Sequence, residues 1–165
     1  MKHIWAPWRV AYVRAAKPKG FTLGGTEGCI LCDKPSESRD TENYILYRGE
    51  RNFVMLNAYP YNAGHLMVAP YRHIATLEEM TEEERHEHFD IVSLCVKALR
   101  QEFKPEGFNI GMNLGRVAGA GIEDHIHSHI VPRWNGDTNF ITVIGDVRVV
   151  PEALADTYRK LKERF

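Results

Sequence analysis

The sequence has few cysteines, no long apolar run and almost no net charge, and each of these absences argues against a class of protein. It contains three cysteines in 165 residues. An odd number that includes one C-x-x-C pair does not match the disulfide framework of a small secreted domain. No uninterrupted apolar segment approaches the roughly 20 residues of a transmembrane helix, so no membrane partner is expected. The formal net charge of −1 gives no overall attraction to nucleic acid.

The N-terminal segment also lacks the features of a secretory signal. Residues 1–9 have neither an apolar core nor a small-residue cleavage site, and we therefore expect a cytoplasmic protein. Residues 1–28 hold two tryptophans followed by a Lys-Pro-Lys-Gly run and a glycine-rich stretch. This composition predicts an N-terminal arm over 1–28 and a single domain over 29–165.

Apolar periodicity predicts an α+β fold in which the sheet is mostly antiparallel. Short β-rich runs occupy 44–47, 53–57, 65–69, 108–114 and 124–131. The turn residues of 58–64 predict that the second and third runs form a hairpin.

One long helix and a C-terminal helix complete the predicted fold. Thr81 and Glu84 form a capping-box signature, and residues 104–107 should end the helix that follows. The apolar residues expected on its buried face are Phe89, Val92, Leu94, Val96 and Leu99. Cys95 is expected in the core, whereas His86 and His88 are expected to be solvated on a charged face. Residues 151–165 should form the last helix.

Three of the eight histidines alternate with other residues at His125, His127 and His129. In a β-strand this spacing places all three imidazoles on one face. Two chemistries fit such an array. The three could bind a metal ion together, or one could attack phosphorus while a neighbour handles the proton.

The segment His125-Ile126-His127-Ser128-His129-Ile130-Val131 resembles the H-x-H-x-H-x-x signature of the histidine triad family of nucleotide hydrolases and transferases. Ser128 departs from the signature, in which the x positions are apolar. The resemblance extends over about residues 29–140 and includes 53–70, which is similar to the family's first hairpin. It implies a histidine triad fold.

The resemblance also implies a role for each residue of the site. His127 would be the nucleophile that forms a nucleotidyl-histidine intermediate, and His129 would assist the leaving group. His65 would act as a second-line group beside them. The resemblance implies that Asn57 binds the ribose of the substrate. The residues implied to lie at its phosphates are Asn113, Gly119, Ala120 and Gly121.

The C-x-x-C pair of Cys29 and Cys32 needs two further ligands to form a zinc site. Alone it could be a redox motif, but no thioredoxin-like pattern surrounds it. Similarity to the family and to the related galactose-1-phosphate uridylyltransferases implies that His73 and His125 complete a structural Cys2His2 zinc site. No organic cofactor is expected.

Residues 4–9 and 131–140 resemble the prokaryotic branch that includes diadenosine tetraphosphate phosphorylases. The uridylyltransferases carry glutamine at the third triad position. This chain has His129 there, which favours a hydrolase or a phosphorylase. The resemblance therefore implies a homodimeric enzyme that attacks the α-phosphate of a dinucleoside polyphosphate. Two alternatives stay open: a fragile-histidine-triad-like hydrolase of dinucleoside polyphosphates or adenosine phosphoramidates, and a non-catalytic zinc-containing nucleotide-binding protein. Residue types do not decide whether phosphate or water is the acceptor.

Overall fold

The computed structural model describes residues 28–138 and 152–165, which form a five-stranded antiparallel sheet with helices packed on it. The strands are β1 (Ile45–Arg48), β2 (Asn52–Leu56), β3 (Leu66–Pro70), β4 (Gly107–Met112) and β5 (Ser128–Arg133). They lie in the order β1-β2-β3-β5-β4, with every neighbouring pair antiparallel. The predicted α+β fold is therefore confirmed. The predicted arm over 1–28 lies outside the described residues except for Gly28.

Four α-helices and two short 3-10 turns accompany the sheet in the described part of the chain. The helices are α1 (Ile30–Ser36), α2 (Asp40–Asn43), α3 (Glu82–Phe103) and α4 (Leu154–Lys162), and the 3-10 turns are Leu77–Glu79 and Arg116–Ala118. Among the described residues, none of these helices has the length and apolar character needed to cross a membrane.

Strands β2 and β3 form the predicted hairpin. Their register pairs Phe53 with Ala69 and Leu56 with Leu66, and all ten residues are buried. The turn closes on Gly64, whose φ of +74° is a conformation that only glycine adopts easily. A Cβ there would lie 3.0 Å from a methyl carbon of Leu99, so the turn packs directly against helix α3.

Helix α3 begins and ends where the sequence predicts, because both signals are local. The Thr81 side chain accepts from the Glu84 N–H and the Glu84 carboxylate accepts from the Thr81 N–H. Lys104 ends the helix in a left-handed conformation.

The predicted buried face of α3 is partly wrong. Phe89 is 57% exposed, whereas His88 is fully buried. The buried residues of the helix are Glu84, His88, Ile91, Val92, Cys95, Ala98 and Leu99, and they include Cys95 as predicted. This stripe packs on β2, β3 and β5 to form the main core.

Strand β5 begins later than predicted, at Ser128 rather than at residue 124. The Ile126 N–H donates to the Ile74 carbonyl at 2.7 Å, so this part of the chain bonds to the segment after β3. On the other side, the pairing with β4 ends at Met112 and Ser128. His129 alone of the triad therefore lies within the strand, and His125 and His127 precede it.

Candidate active site and metal centre

The four residues predicted to bind zinc lie together. The possible ligand atoms of Cys29, Cys32, His73 and His125 are all within 4.8 Å of one another. Cys29 and Cys32 stand one turn apart at the start of α1, where the Cys32 N–H donates to the Cys29 carbonyl at 2.8 Å. His73 follows β3 and His125 precedes β5, so the site joins three separate parts of the chain.

Sulfur-to-nitrogen distances in this cluster suit a tetrahedral ion. The Cys29 Sγ lies 3.3 Å from the His125 Nδ1, and the Cys32 Sγ lies 3.3 Å from the His73 Nδ1. Tetrahedral zinc with ordinary bond lengths separates sulfur and nitrogen ligands by about 3.6 Å. The residues present therefore fit a zinc ion without large movement.

Two further features favour a cation at this cluster. The Pro70 carbonyl lies 2.8 Å from the His125 Nε2; a carbonyl only accepts, so this nitrogen carries the proton and leaves the Nδ1 lone pair for a metal. Burial, and then the neighbouring Cys29, raise the pKa of the Cys32 thiol to about 11. A bound cation would reverse this effect by stabilising both thiolates.

His127 keeps a lone pair on one ring nitrogen. Its Nδ1 lies 2.8 Å from the carbonyl oxygen of His125, and since a carbonyl only accepts, Nδ1 donates. We therefore assign the tautomer in which Nε2 keeps its lone pair. The side chain is nearly buried, and burial lowers its pKa below the ordinary value, which keeps the ring neutral at physiological pH.

A second chain of hydrogen bonds fixes the opposite tautomer for His129. The Tyr61 N–H donates to the His65 Nδ1 at 3.1 Å, so the His65 Nε2 carries the proton. That nitrogen lies 3.0 Å from the His129 Nδ1, which must then accept. His129 is left with a proton on Nε2, the arrangement of a donor to a leaving oxygen.

The surroundings of His65 and His129 keep both imidazoles neutral. Burial, followed by the neighbouring histidines, lowers the pKa of His65 to about 3. Burial and His127 lower the pKa of His129 to about 4. At neutral pH, His127 and His129 therefore offer one lone pair and one N–H donor.

The residues predicted to bind substrate lie on both sides of the triad. Asn57 follows β2, and its Nδ2 is 3.4 Å from the His65 Nδ1. Asn113 follows β4, and its Nδ2 donates to the Gly119 carbonyl at 3.5 Å. Within the glycine loop, the N–H groups of Gly119 and Ala120 already donate to loop carbonyls, at 3.0 and 3.4 Å. A phosphate could take these two amides only if they exchange partners.

Sequence reasoning missed one buried polar group beside the site. His88, predicted to be solvated, is fully buried and lies 2.7 Å from the Ser128 hydroxyl and 3.0 Å from the Asn52 Oδ1. The spacing of His88, Val92, Cys95 and Leu99 could have shown this, because i, i+4, i+7 and i+11 share one helix face. His86 is exposed, as predicted.

Comparison with known proteins gives the family. The family model described as HIT domain matches residues 38–136. AP-4-A phosphorylase of Mycobacterium tuberculosis is 38% identical over 161 residues, covering 98% of this chain and 83% of that protein. Protein hit of Bacillus subtilis is 32% identical over 114 residues, or 69% of this chain and 77% of that protein.

A solved structure agrees with these relatives. The crystal structure of a zinc-bound histidine triad family protein from Mycobacterium smegmatis is similar to this fold with a TM-score of 0.66 and 26% identity. The match covers 83% of this chain and 92% of that chain. These similarities confirm the resemblance stated from the sequence. The chain belongs to the HIT domain, or histidine triad, family.

Proposed function

We propose that this protein transfers a nucleotidyl group from a dinucleoside polyphosphate through a covalent intermediate on His127. The observation that carries the proposal is the hydrogen bond between the His127 Nδ1 and the His125 carbonyl, which leaves Nε2 as a neutral nucleophile. A neutral imidazole nitrogen attacks phosphorus without needing a base to remove a proton first.

The reaction takes two displacement steps at one phosphorus. First, the His127 Nε2 attacks the α-phosphorus of diadenosine tetraphosphate; a P–N bond forms, the P–O bond breaks and ATP leaves. The His129 Nε2–H donates to the departing oxygen, and His65 holds that ring through its Nδ1. An oxygen of inorganic phosphate then attacks the same phosphorus, the P–N bond breaks and ADP leaves.

The substrate and the acceptor are proposed from the relative of M. tuberculosis, whose name is AP-4-A phosphorylase and which spans nearly this whole chain. Water in place of phosphate would release AMP, as in the fragile-histidine-triad-like alternative. We assign contact with the ribose to Asn57, and contact with the phosphates to Asn113 and the loop residues Gly119, Ala120 and Gly121. Exchange of the loop hydrogen bonds would accompany phosphate binding.

Product identification tests this function. The protein is incubated with diadenosine tetraphosphate, with and without inorganic phosphate, and the nucleotides are separated by chromatography. We expect ADP and ATP in equal amounts, formed only when phosphate is present. Equal amounts of AMP and ATP would identify water as the acceptor. Binding of the nucleotide without turnover would contradict the proposed activity and favour the non-catalytic alternative.

We further propose that the Cys29–Cys32–His73–His125 cluster holds a structural zinc ion. All four residues are cysteine or histidine, two ligand types that zinc prefers, and the cluster offers no ligand from His127 or His129. The proposal separates the triad by role, since His125 anchors the chain through metal while the other two histidines face substrate. The solved zinc-bound relative supports it.

We also propose a homodimer formed across strand β4 and helix α3. Within the described residues, β4 pairs only with β5, and it presents Ile110, which is 48% exposed, at that edge. Phe89 of α3 is 57% exposed. Sedimentation at micromolar concentration should give twice the chain mass, and Ile110→Lys should shift the species toward the monomer. A monomeric wild-type protein would contradict this proposal.

A cytoplasmic location is proposed from the state of the cysteines. Cys29, Cys32 and Cys95 are all unpaired, as expected in a compartment that keeps thiols reduced. Fractionation of cells that produce the protein tests this, and recovery from an oxidising compartment would contradict it.

A further inference from the structure

Ser128, the residue that departs from the triad signature, lies between His127 and His129 but bonds away from them. Its hydroxyl is 2.7 Å from the His88 Nε2 on helix α3. Successive residues of a strand point to opposite faces, so Ser128 turns toward the helix while His129 turns toward the site. The serine joins the triad segment directly to α3.

The direction of each hydrogen bond in this group is fixed by Asn52. Its Nδ2 donates to the Glu87 carboxylate at 2.8 Å and to the Glu84 carbonyl at 3.1 Å, so its Oδ1 faces His88 as an acceptor. The His88 Nδ1 therefore donates to that oxygen at 3.0 Å. This leaves the His88 Nε2 to accept from the Ser128 hydroxyl.

A serine donating to a histidine that donates to an asparagine resembles the nucleophile arrangement of some hydrolases. The direction of the hydroxyl, together with its burial, excludes that use here. Ser128 turns toward α3 rather than toward the face of His129, and His88 and Asn52 are 0% exposed, so substrate at the proposed site does not meet this hydroxyl. The group must act through what it holds in place.

What it holds is the end of the strand beside the nucleophile. The pairing of β5 with β3 ends at Val68 and Ser128, and the pairing with β4 ends at Met112 and Ser128. Ser128 is thus the last residue fixed by both ladders, and His127 is the first residue beyond them. The Ser128–His88 bond is a side-chain attachment at that boundary.

We propose that His88 is a positioning residue for the reaction, which it serves by fixing Ser128 and thereby the backbone that carries His127 and His129. This inference rests on the proposed roles of those two histidines. A displacement of about 1 Å at a reacting group can lower a rate roughly a hundredfold. The effect should fall on kcat, because His88 does not contact the nucleotide.

Three variants test the proposal by initial rates with diadenosine tetraphosphate and phosphate. His88→Leu and Ser128→Ala should each lower kcat by roughly tenfold to a hundredfold while KM changes by less than about twofold. His88→Gln should recover kcat to within about threefold of wild type, because an amide oxygen accepts from Ser128 and the amide nitrogen donates to Asn52. All rates are taken at a temperature where circular dichroism shows a folded protein.

Cys95→Ala is the matched control. Cys95 is fully buried on the same face of α3, about two turns further along, so this variant also weakens the core but should keep the wild-type kcat. A folded His88→Leu protein with wild-type kcat would overturn the proposal, as would an equal loss of kcat in Cys95→Ala. If His88→Leu fails to fold, the other two variants decide. A low kcat in Ser128→Ala together with a recovered kcat in His88→Gln supports the positioning role, and any other combination of these two results overturns it.

Results that contradict the proposed function differ from results that contradict the positioning role of His88. An inactive wild-type protein, or a His127→Ala variant as active as wild type, contradicts the covalent mechanism itself. A wild-type protein that turns over and a His127→Ala variant that does not, combined with unaffected His88 variants, contradict only the positioning role.

Discussion

Replacing His127 by alanine should lower kcat roughly 10⁴-fold or more, because the change removes the atom placed to form the P–N bond. Nucleotide affinity should change by less than about tenfold, since the side chain is 5% exposed and offers the substrate little besides that nitrogen. Incubation with α-labelled diadenosine tetraphosphate should leave label on the wild-type protein and none on the variant. Phosphoramidate bonds are labile to acid, so the labelled protein is isolated under alkaline conditions.

His86→Ala is the control for this experiment. His86 is exposed on α3, where its Nε2 lies 4.0 Å from a carboxylate oxygen of Glu82, and its replacement should leave kcat and labelling unchanged. A His127→Ala protein that keeps turnover would contradict nucleophilic catalysis by this residue. His129→Ala gives a complementary result: label should still reach His127, but slowly, because the donor to the leaving oxygen is missing.

Removal of the metal should destabilise the fold, and activity should then be lost over the same temperature range in which the protein unfolds. A site that joins the start of α1, the segment after β3 and the approach to β5 contributes its binding free energy to folding. We expect elemental analysis to find about one zinc ion per chain. Chelation, or the change His73→Ala, should lower the melting temperature by roughly 10 °C or more. Circular dichroism and initial rates followed in the same sample measure both losses.

Cys95→Ser serves as the control for the metal experiment, because Cys95 is buried in the core and takes no part in the cluster. This variant should keep its zinc even if its melting temperature falls. Loss of activity on chelation from a protein that stays fully folded would contradict a structural ion. It would instead favour the catalytic metal site built from all three triad histidines.

The features that sequence predicted well depend on nearby residues. The turn between β2 and β3 lies within 58–64, and the capping box of α3 needs only Thr81 and Glu84. The predicted start of β5 was wrong because it depends on a distant part of the chain. The bond from Ile126 to Ile74 involves a distant segment, and strand alternation alone gives no sign of it.

At the candidate site too, residue types could be predicted from the sequence, whereas contacts between distant segments could not. Residue types and the family resemblance named the four residues of the proposed metal site, and the structure brings them together. His88 was assigned to solvent because it lies between Glu87 and Phe89 in a charged stretch. Its partner Ser128 comes from 40 positions away, so only the packing of α3 on β5 reveals the pair.

The glycine loop has the expected backbone conformation at Gly119, but two of its N–H groups already have hydrogen-bond partners. The family resemblance implies that its backbone contacts phosphate, which glycine permits by allowing a close approach, and Gly119 indeed has a φ of +94°. Composition says nothing about whether the N–H groups are available, and those of Gly119 and Ala120 already have partners.

The position of the proposed metal centre also bears on the order in which the chain folds. Its ligands close long loops: Cys29 and His125 are 96 positions apart, and Cys32 and His73 are 41 apart. Bringing such ends together costs entropy before any contact compensates for it, although each doubling of loop length adds only about 0.6 kcal/mol. The hairpin of β2 and β3 and the helix α3 involve neighbouring segments and can form early. We therefore expect β5, and with it His127 and His129, to be fixed late, when the two ends of these loops meet at the proposed ion.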